Sequence, residues 1–213
     1  MGFFSRLLGE SEEDKAVKEV LTKMKLFLDD EKVQLEYINP ELKRILLECP
    51  AYDRDPNGSG PFGFTESNPI PVNGPLGELT YLSRLETARG ERFLYHRVGS
   101  IDKTDVFECV TFSGSEWYIL FLDMYHPRRS RLAPESFRFS KSLTQFAGFN
   151  RYCKDFPYDF VEMKKREQES GLMEFYIPLN WITTQIQNGV YHRPTSHTSK
   201  LEIVMKRLSS PRH

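Results

Sequence analysis

The stretch DVFECVTFSGSEWYILFLDMYHPRRSR, residues 105–131, decides the fold. Trp117, Ile119 and Phe121 alternate with Tyr118, Leu120 and Leu122, so a strand here carries apolar side chains on both faces. That is the pattern of a strand covered on both sides, not of one with a wet face. Upstream, Val106–Phe112 is also rich in strand-forming residues, and Ser113-Gly114-Ser115-Glu116 is a short polar connector. Two such runs joined in this way predict an antiparallel hairpin. Pro127 cannot donate to a ladder and stops the second strand just before Arg128, Arg129 and Arg131.

Working outward, Glu91–Val98 reads as a strand that opens a three-stranded meander over residues 91–124. His96 lies inside it with Leu94 and Val98 on the same face, the setting of a core histidine. Before it, Leu76, Leu79, Leu82 and Leu85 line one side of a helix that starts near Pro75 and ends by Gly90. The segment 1–50 is helical. Ser11 caps a first amphipathic helix carrying Val17, Val20, Leu21, Met24, Phe27 and Leu28. Asn39-Pro40 starts another, with Leu42, Ile45, Leu46 and Cys49 as its buried stripe. After the arginines, helices are predicted over 142–153, from Pro157 to Gly171, and over 181–187. Strands are predicted over 172–179 and 201–205. The expectation is a single α+β domain over 1–213: N-terminal helices, a mainly antiparallel sheet, and C-terminal helices packed on it.

Residues 51–75, AYDRDPNGSGPFGFTESNPIPVNGP, form a long loop dense in Gly, Pro, Asn and Asp. Loops of this length inside a domain lean towards function. Asp53, Asp55 and Asn57 followed by Gly58 copy the first half of an EF-hand loop, but Phe64 stands where the bidentate Glu belongs. An Asx-rich turn explains these residues without an ion, and no metal or cofactor is expected. His192 and His197 lack a third ligand nearby.

Composition restricts function. Apolar residues are 39% and charged residues 28%, the balance of a soluble globular protein. A net charge of −1 supplies no global field towards nucleic acid, so no nucleic-acid partner is expected. Cys49, Cys109 and Cys153 are widely spaced with no CxxC pair, which fits reduced thiols in the cytoplasm. No apolar run approaches the roughly 20 residues that span a bilayer. Phe3, Phe4, Leu7 and Leu8 could touch a membrane surface, but a terminal turn folded on its own domain is the preferred reading of residues 3–8.

Two functional expectations follow. The first is a non-catalytic protein that binds a protein partner or an anionic ligand through Arg128, Arg129 and Arg131 (the turn 128–131) and the 51–75 loop. The alternative is a small enzyme on a phosphate- or carboxylate-bearing substrate, with Asp123 orienting His126 as general base.

Overall fold

A computed structural model describes residues 12–141, 146–160, 162, 166, 184 and 188–209. Residues 3–8, the strand 172–179, and most of the helices from Pro157 and over 181–187 lie outside that description.

The N-terminal helices are α1 (Glu12–Asp29), α2 (Glu31–Glu36) and α3 (Pro40–Glu48). Local chemistry sets their limits. The Asp30 carboxylate accepts from the Lys32 and Val33 amides and starts α2. Asn39 accepts from the Leu42 amide and starts α3, with Pro40 in the first turn where its missing N–H is no loss. Gln34 is fully buried, and its amide donates to the Phe27 and Leu28 carbonyls at 3.1 and 3.0 Å. Its own oxygen accepts from Asn73 at 2.9 Å, which ties these helices to the sheet.

The 51–75 loop ends in β1 (Ile70–Pro71), and α4 (Gly74–Arg84) follows at once. Gly74 has φ of 73°, and a Cβ there would lie 2.8 Å from Ile38 Cδ1, so both backbone and space require glycine. The helix ends earlier than its leucine spacing predicts. Leu85 turns extended, and β2 (Leu85–Thr87) pairs with β6 (Phe137–Phe139) as a small separate ribbon. Gly90 serves instead in the turn that leads to β3.

The meander is β3 (Phe93–Ile101), β4 (Thr104–Thr111) and β5 (Trp117–Asp123). With β7 (Gly148–Phe149) the main sheet runs β1-β5-β4-β3-β7, antiparallel through the meander and parallel at its two outer additions. The α+β architecture is therefore as the sequence predicts. Two elements differ. Residues 146–153 are not helical, because Gly148 lies against β3 where a Cβ would be 2.1 Å from the Tyr95 ring. Residues 201–205 are not a strand but part of α5 (Thr195–Ser209). Leu201, Val204 and Leu208 recur at helical spacing and pack on the sheet with Val98, Val106 and Phe121. Five residues of LEIVM were too few to separate a period of two from one of 3.6.

Direct cross-strand partners share a face. Val106, Glu108 and Val110 of β4 therefore look the same way as Phe121, Ile119 and Trp117 of β5, towards α5. Asp105, Phe107 and Cys109 look the other way. On that side Tyr95 of β3 donates to the Leu79 carbonyl of α4 at 2.9 Å. The larger apolar core holds Ile70, Val72, Tyr81, Leu82, Phe107 and Leu120. Cys49, Cys109 and Cys153 form no disulfide, and no described helix is long and apolar enough to cross a membrane.

Candidate functional site

Where β5 ends, Asp123 organises the chain. One carboxylate oxygen accepts from the Tyr125 amide at 2.9 Å, and the other faces His126 Nε2 at 3.3 Å. His126 is buried, and its Nδ1 lies 2.9 Å from the Pro50 carbonyl oxygen. A carbonyl cannot donate, so Nδ1 must carry a proton. A proton on Nε2 as well turns the contact with Asp123 into a charge-assisted bond. Burial disfavours that charge, but the bonds to Asp123 and to the Pro50 carbonyl outweigh it and raise the pKa above the ordinary histidine value. Asp123 and His126 are thus brought together as the sequence suggests, with both ring nitrogens already engaged.

The three arginines of the turn have different environments. Arg128 donates to Asp53 at 2.5 Å, and the same carboxylate oxygen accepts from the Arg131 amide at 2.8 Å. These two bonds hold the Asp53 carboxyl below the usual range, against a smaller opposing effect of burial. They also join the 51–75 loop to the arginine turn, making the two predicted surfaces one. Asp55 is engaged too, accepting from the Asn57 amide at 2.8 Å in an Asx turn. Among the described residues no three His, Cys, Asp or Glu side chains converge as metal donors.

Arg129 does not emerge at the rim as its place after Pro127 suggests. It is 6% exposed and points inward. Its Nη1 donates to the Leu28 carbonyl at 3.3 Å and to Thr80 Oγ1 at 2.7 Å, and its Nη2 to the Asp29 carbonyl at 2.7 Å. Glu31 receives Nε at 3.3 Å. Leu28 and Asp29 end α1, where carbonyls lack intrahelical donors and a cation is favoured. Arg129 caps a helix.

Beside it opens a cleft of about 190 Å³ lined by Glu31, Tyr81, Arg84, Arg129, Ser130, Arg131 and Phe139. Arg84 comes from the last turn of α4 and lies over the Phe139 ring at 5.9 Å, only loosely paired with Asp29 at 3.8 Å. The Arg131 side chain makes no hydrogen bond or ion pair among the described residues. Three guanidinium groups thus line the cleft against one carboxylate, Glu31. Arg84 and Phe139 carry no sequence signal that associates them with the turn; only the fold brings them there.

Two further clusters bear chemistry. Glu108 is fully buried on the α5 side. Its Oε1 accepts from Arg193 Nε at 2.7 Å and His197 Nε2 at 3.0 Å. Its Oε2 accepts from His96 Nε2 at 2.9 Å and Arg193 Nη2 at 3.0 Å. His96 Nδ1 accepts from the Cys153 amide at 3.0 Å, which fixes the ring proton on Nε2. Burial alone would raise the Glu108 pKa. The bonds from His197, His96 and Arg193 overcome it and hold the carboxyl at about 2. All four lone-pair positions are occupied, so this carboxylate fastens elements and has no acceptor left for a substrate. His197 accordingly belongs with Glu108, not with His192.

On the opposite face Glu78 of α4 is also fully buried, yet neither of its oxygens has a hydrogen-bond partner among the described residues. Burial, with the charge of Asp105, pushes its pKa well above the carboxylate range. Asp105 accepts from Ser100 Oγ at 2.5 Å and Arg97 at 2.8 Å. Of the Glu108 cluster, His197 also lines a groove between β5 and α5. The chain matches no protein-family model, no curated protein and no solved structure.

Proposed function

We propose that this is a non-catalytic cytoplasmic binding protein whose arginine cleft takes an anionic group, carboxylate or phosphate, from a small ligand or a partner protein. The observation that carries this reading is the convergence of Arg84 and Arg131 on one cleft beside the buried Arg129, with the Arg131 guanidinium uncommitted. Guanidinium forks match carboxylate and phosphate oxygens in pairs. Arg129 supplies field to such a group while its own hydrogen bonds hold α1. Asp53 fixes the backbone of Arg131, so the free side chain projects from an anchored point.

The alternative of a hydrolytic or transfer enzyme based on Asp123 and His126 has less support. A general base needs an accessible lone pair, and both His126 nitrogens are in contact with acceptor oxygens inside the protein. The same geometry supports a latch between β5 and the start of the 51–75 loop.

Calorimetric titration with inorganic phosphate, citrate and a phosphopeptide tests the proposal. Replacing Arg84 and Arg131 together by Ala is expected to weaken binding at least tenfold. The melting temperature should move little, because exposed ion pairs contribute only about 0–1 kcal/mol each. Affinity should also fall between 50 and 300 mM salt, since the attraction is screened over roughly 8–10 Å at ordinary ionic strength. Equal affinity in the double variant would remove the cleft from consideration. Loss of a measurable turnover in His126→Ala would favour the enzyme instead.

A further inference from the structure

We infer that the outer edge of β5, beyond its short pairing with β1, receives an extended segment of a partner protein as an added strand. The edge is only partly covered. β1 pairs with it at Leu122 and Asp123, and the Gly63 carbonyl accepts from the Phe121 amide at 2.9 Å. In an antiparallel ladder, outward and inward backbone groups alternate along the strand. The outward Phe121 amide and the Asp123 carbonyl, which accepts from Val72, fix that phase. Trp117 and Ile119 therefore also turn their N–H and C=O groups outward, and among the described residues these meet no partner. Unpaired edge groups of this kind are a template for another strand.

Beside that edge, between β5 and α5, lies a groove of about 530 Å³ with Phe64, Trp117, Ile119, Phe121, Ile203 and Val204 along it. Ile203 is 63% exposed, an unusual position for a large apolar side chain on an otherwise polar helix face. The Trp117 indole N–H is buried and has no hydrogen-bond partner among the described residues. Lys200 stands on the wall and forms no ion pair among them. Backbone groups along one side, an apolar trough and a lone cation specify an extended peptide. It alternates apolar residues, which enter the groove, with polar ones, and places an acidic residue against Lys200. Strand addition of this form draws affinity from main-chain bonds and specificity from alternate side chains.

The probe is a phage-displayed library of random nine-residue peptides selected on the full chain. The expected result is enrichment of alternating apolar sequences with an Asp or Glu at one end, binding with micromolar Kd by Trp117 fluorescence. Proline is tolerated at an edge position whose N–H faces away from the ladder. Ile119→Pro should therefore weaken the selected peptide more than tenfold with little change in melting temperature, whereas Ile119→Val stays within about twofold. Should Ile119→Pro fail to fold, N-methylating alternate amides of the peptide keeps the test: one phase should abolish binding and the other leave it intact. Failure to enrich such peptides, equal binding by both N-methylated forms, or insensitivity to a folded Ile119→Pro overturns the inference. So does a wild-type dimer in sedimentation that Ile119→Pro makes monomeric, because the strand would then come from a second copy.

Discussion

Glu78 and Glu108 are both inaccessible to water and lie on opposite faces of the same sheet, yet their pKa values are moved in opposite directions. Glu108 is met by four N–H donors from β3, α5 and the segment before α5, and stays ionised down to about pH 2. Among the described residues no hydrogen bond reaches either oxygen of Glu78, and burial together with the negative field of Asp105 raises its pKa well above the carboxylate range. Burial is the same in both. The partners decide, and a buried carboxylate can be either a fastener or an uncharged filler of the core.

The largest expected effect breaks the Glu108 side of that comparison. Glu108→Ala takes the shared carboxylate from Arg193, His96 and His197, and removing one partner of a buried pair typically costs about 3–5 kcal/mol. Urea denaturation should show it, and an effect below about 1 kcal/mol would mean that the cluster is not holding α5. Phe121→Ala, on the same face, serves as an apolar control. It should cost about 3 kcal/mol through lost packing with Val106 and Val204, with no pH dependence.

Acid sharpens the contrast. The Glu108 pKa is lower in the folded protein than the ordinary 4.5, so its contribution is complete above that value and is lost as pH falls towards 2. The span corresponds to about 3 kcal/mol, and it should vanish from the stability–pH curve of the Glu108→Ala variant. Glu78 runs in the opposite sense. Its folded pKa is raised, so its contribution is full below the ordinary carboxylate value and declines as pH rises through the folded one. Glu78→Gln should consequently be within about 1 kcal/mol of wild type at low pH, where the carboxyl it replaces is uncharged, and should gain on wild type as pH rises through the folded pKa. His126, also raised, contributes fully below pH 6.5 and loses that contribution as pH climbs through its folded pKa. Its NMR titration should report this as the smallest effect of the series.

The sequence reveals the meander because its strands are long, apolar on both faces and separated by short polar turns. It reveals α3 and the start of α4 through Asn39-Pro40 and Asn73-Gly74-Pro75. It conceals β7, whose two residues are strand only because Tyr95 leaves room for Gly148 alone. The candidate site is legible in part. Clustered arginines after a strand-ending proline draw attention to the turn, but nothing local distinguishes Arg129, buried against α1, from its exposed neighbour Arg131. Likewise His96 reads as a core histidine, whereas its acceptor, Glu108, and the other donors, Arg193 and His197, are known only once α5 is laid across the sheet. Long-range polar pairing leaves no periodicity to read.

The cap that Arg129 places on α1 also orders events in time. Its bond to the Leu28 carbonyl spans 101 residues of sequence. During synthesis α1 emerges long before its cap exists, while β3, β4 and β5 can pair with neighbours as soon as they appear. Contacts so distant are entropically slow to close, so the meander is the natural nucleus and the N-terminal helices dock on it afterwards. Bonds made after the rate-limiting step govern escape from the native state instead of entry to it. Arg129→Met should therefore leave the refolding rate nearly unchanged and hasten unfolding, which makes this one side chain a setting for the lifetime of the folded molecule.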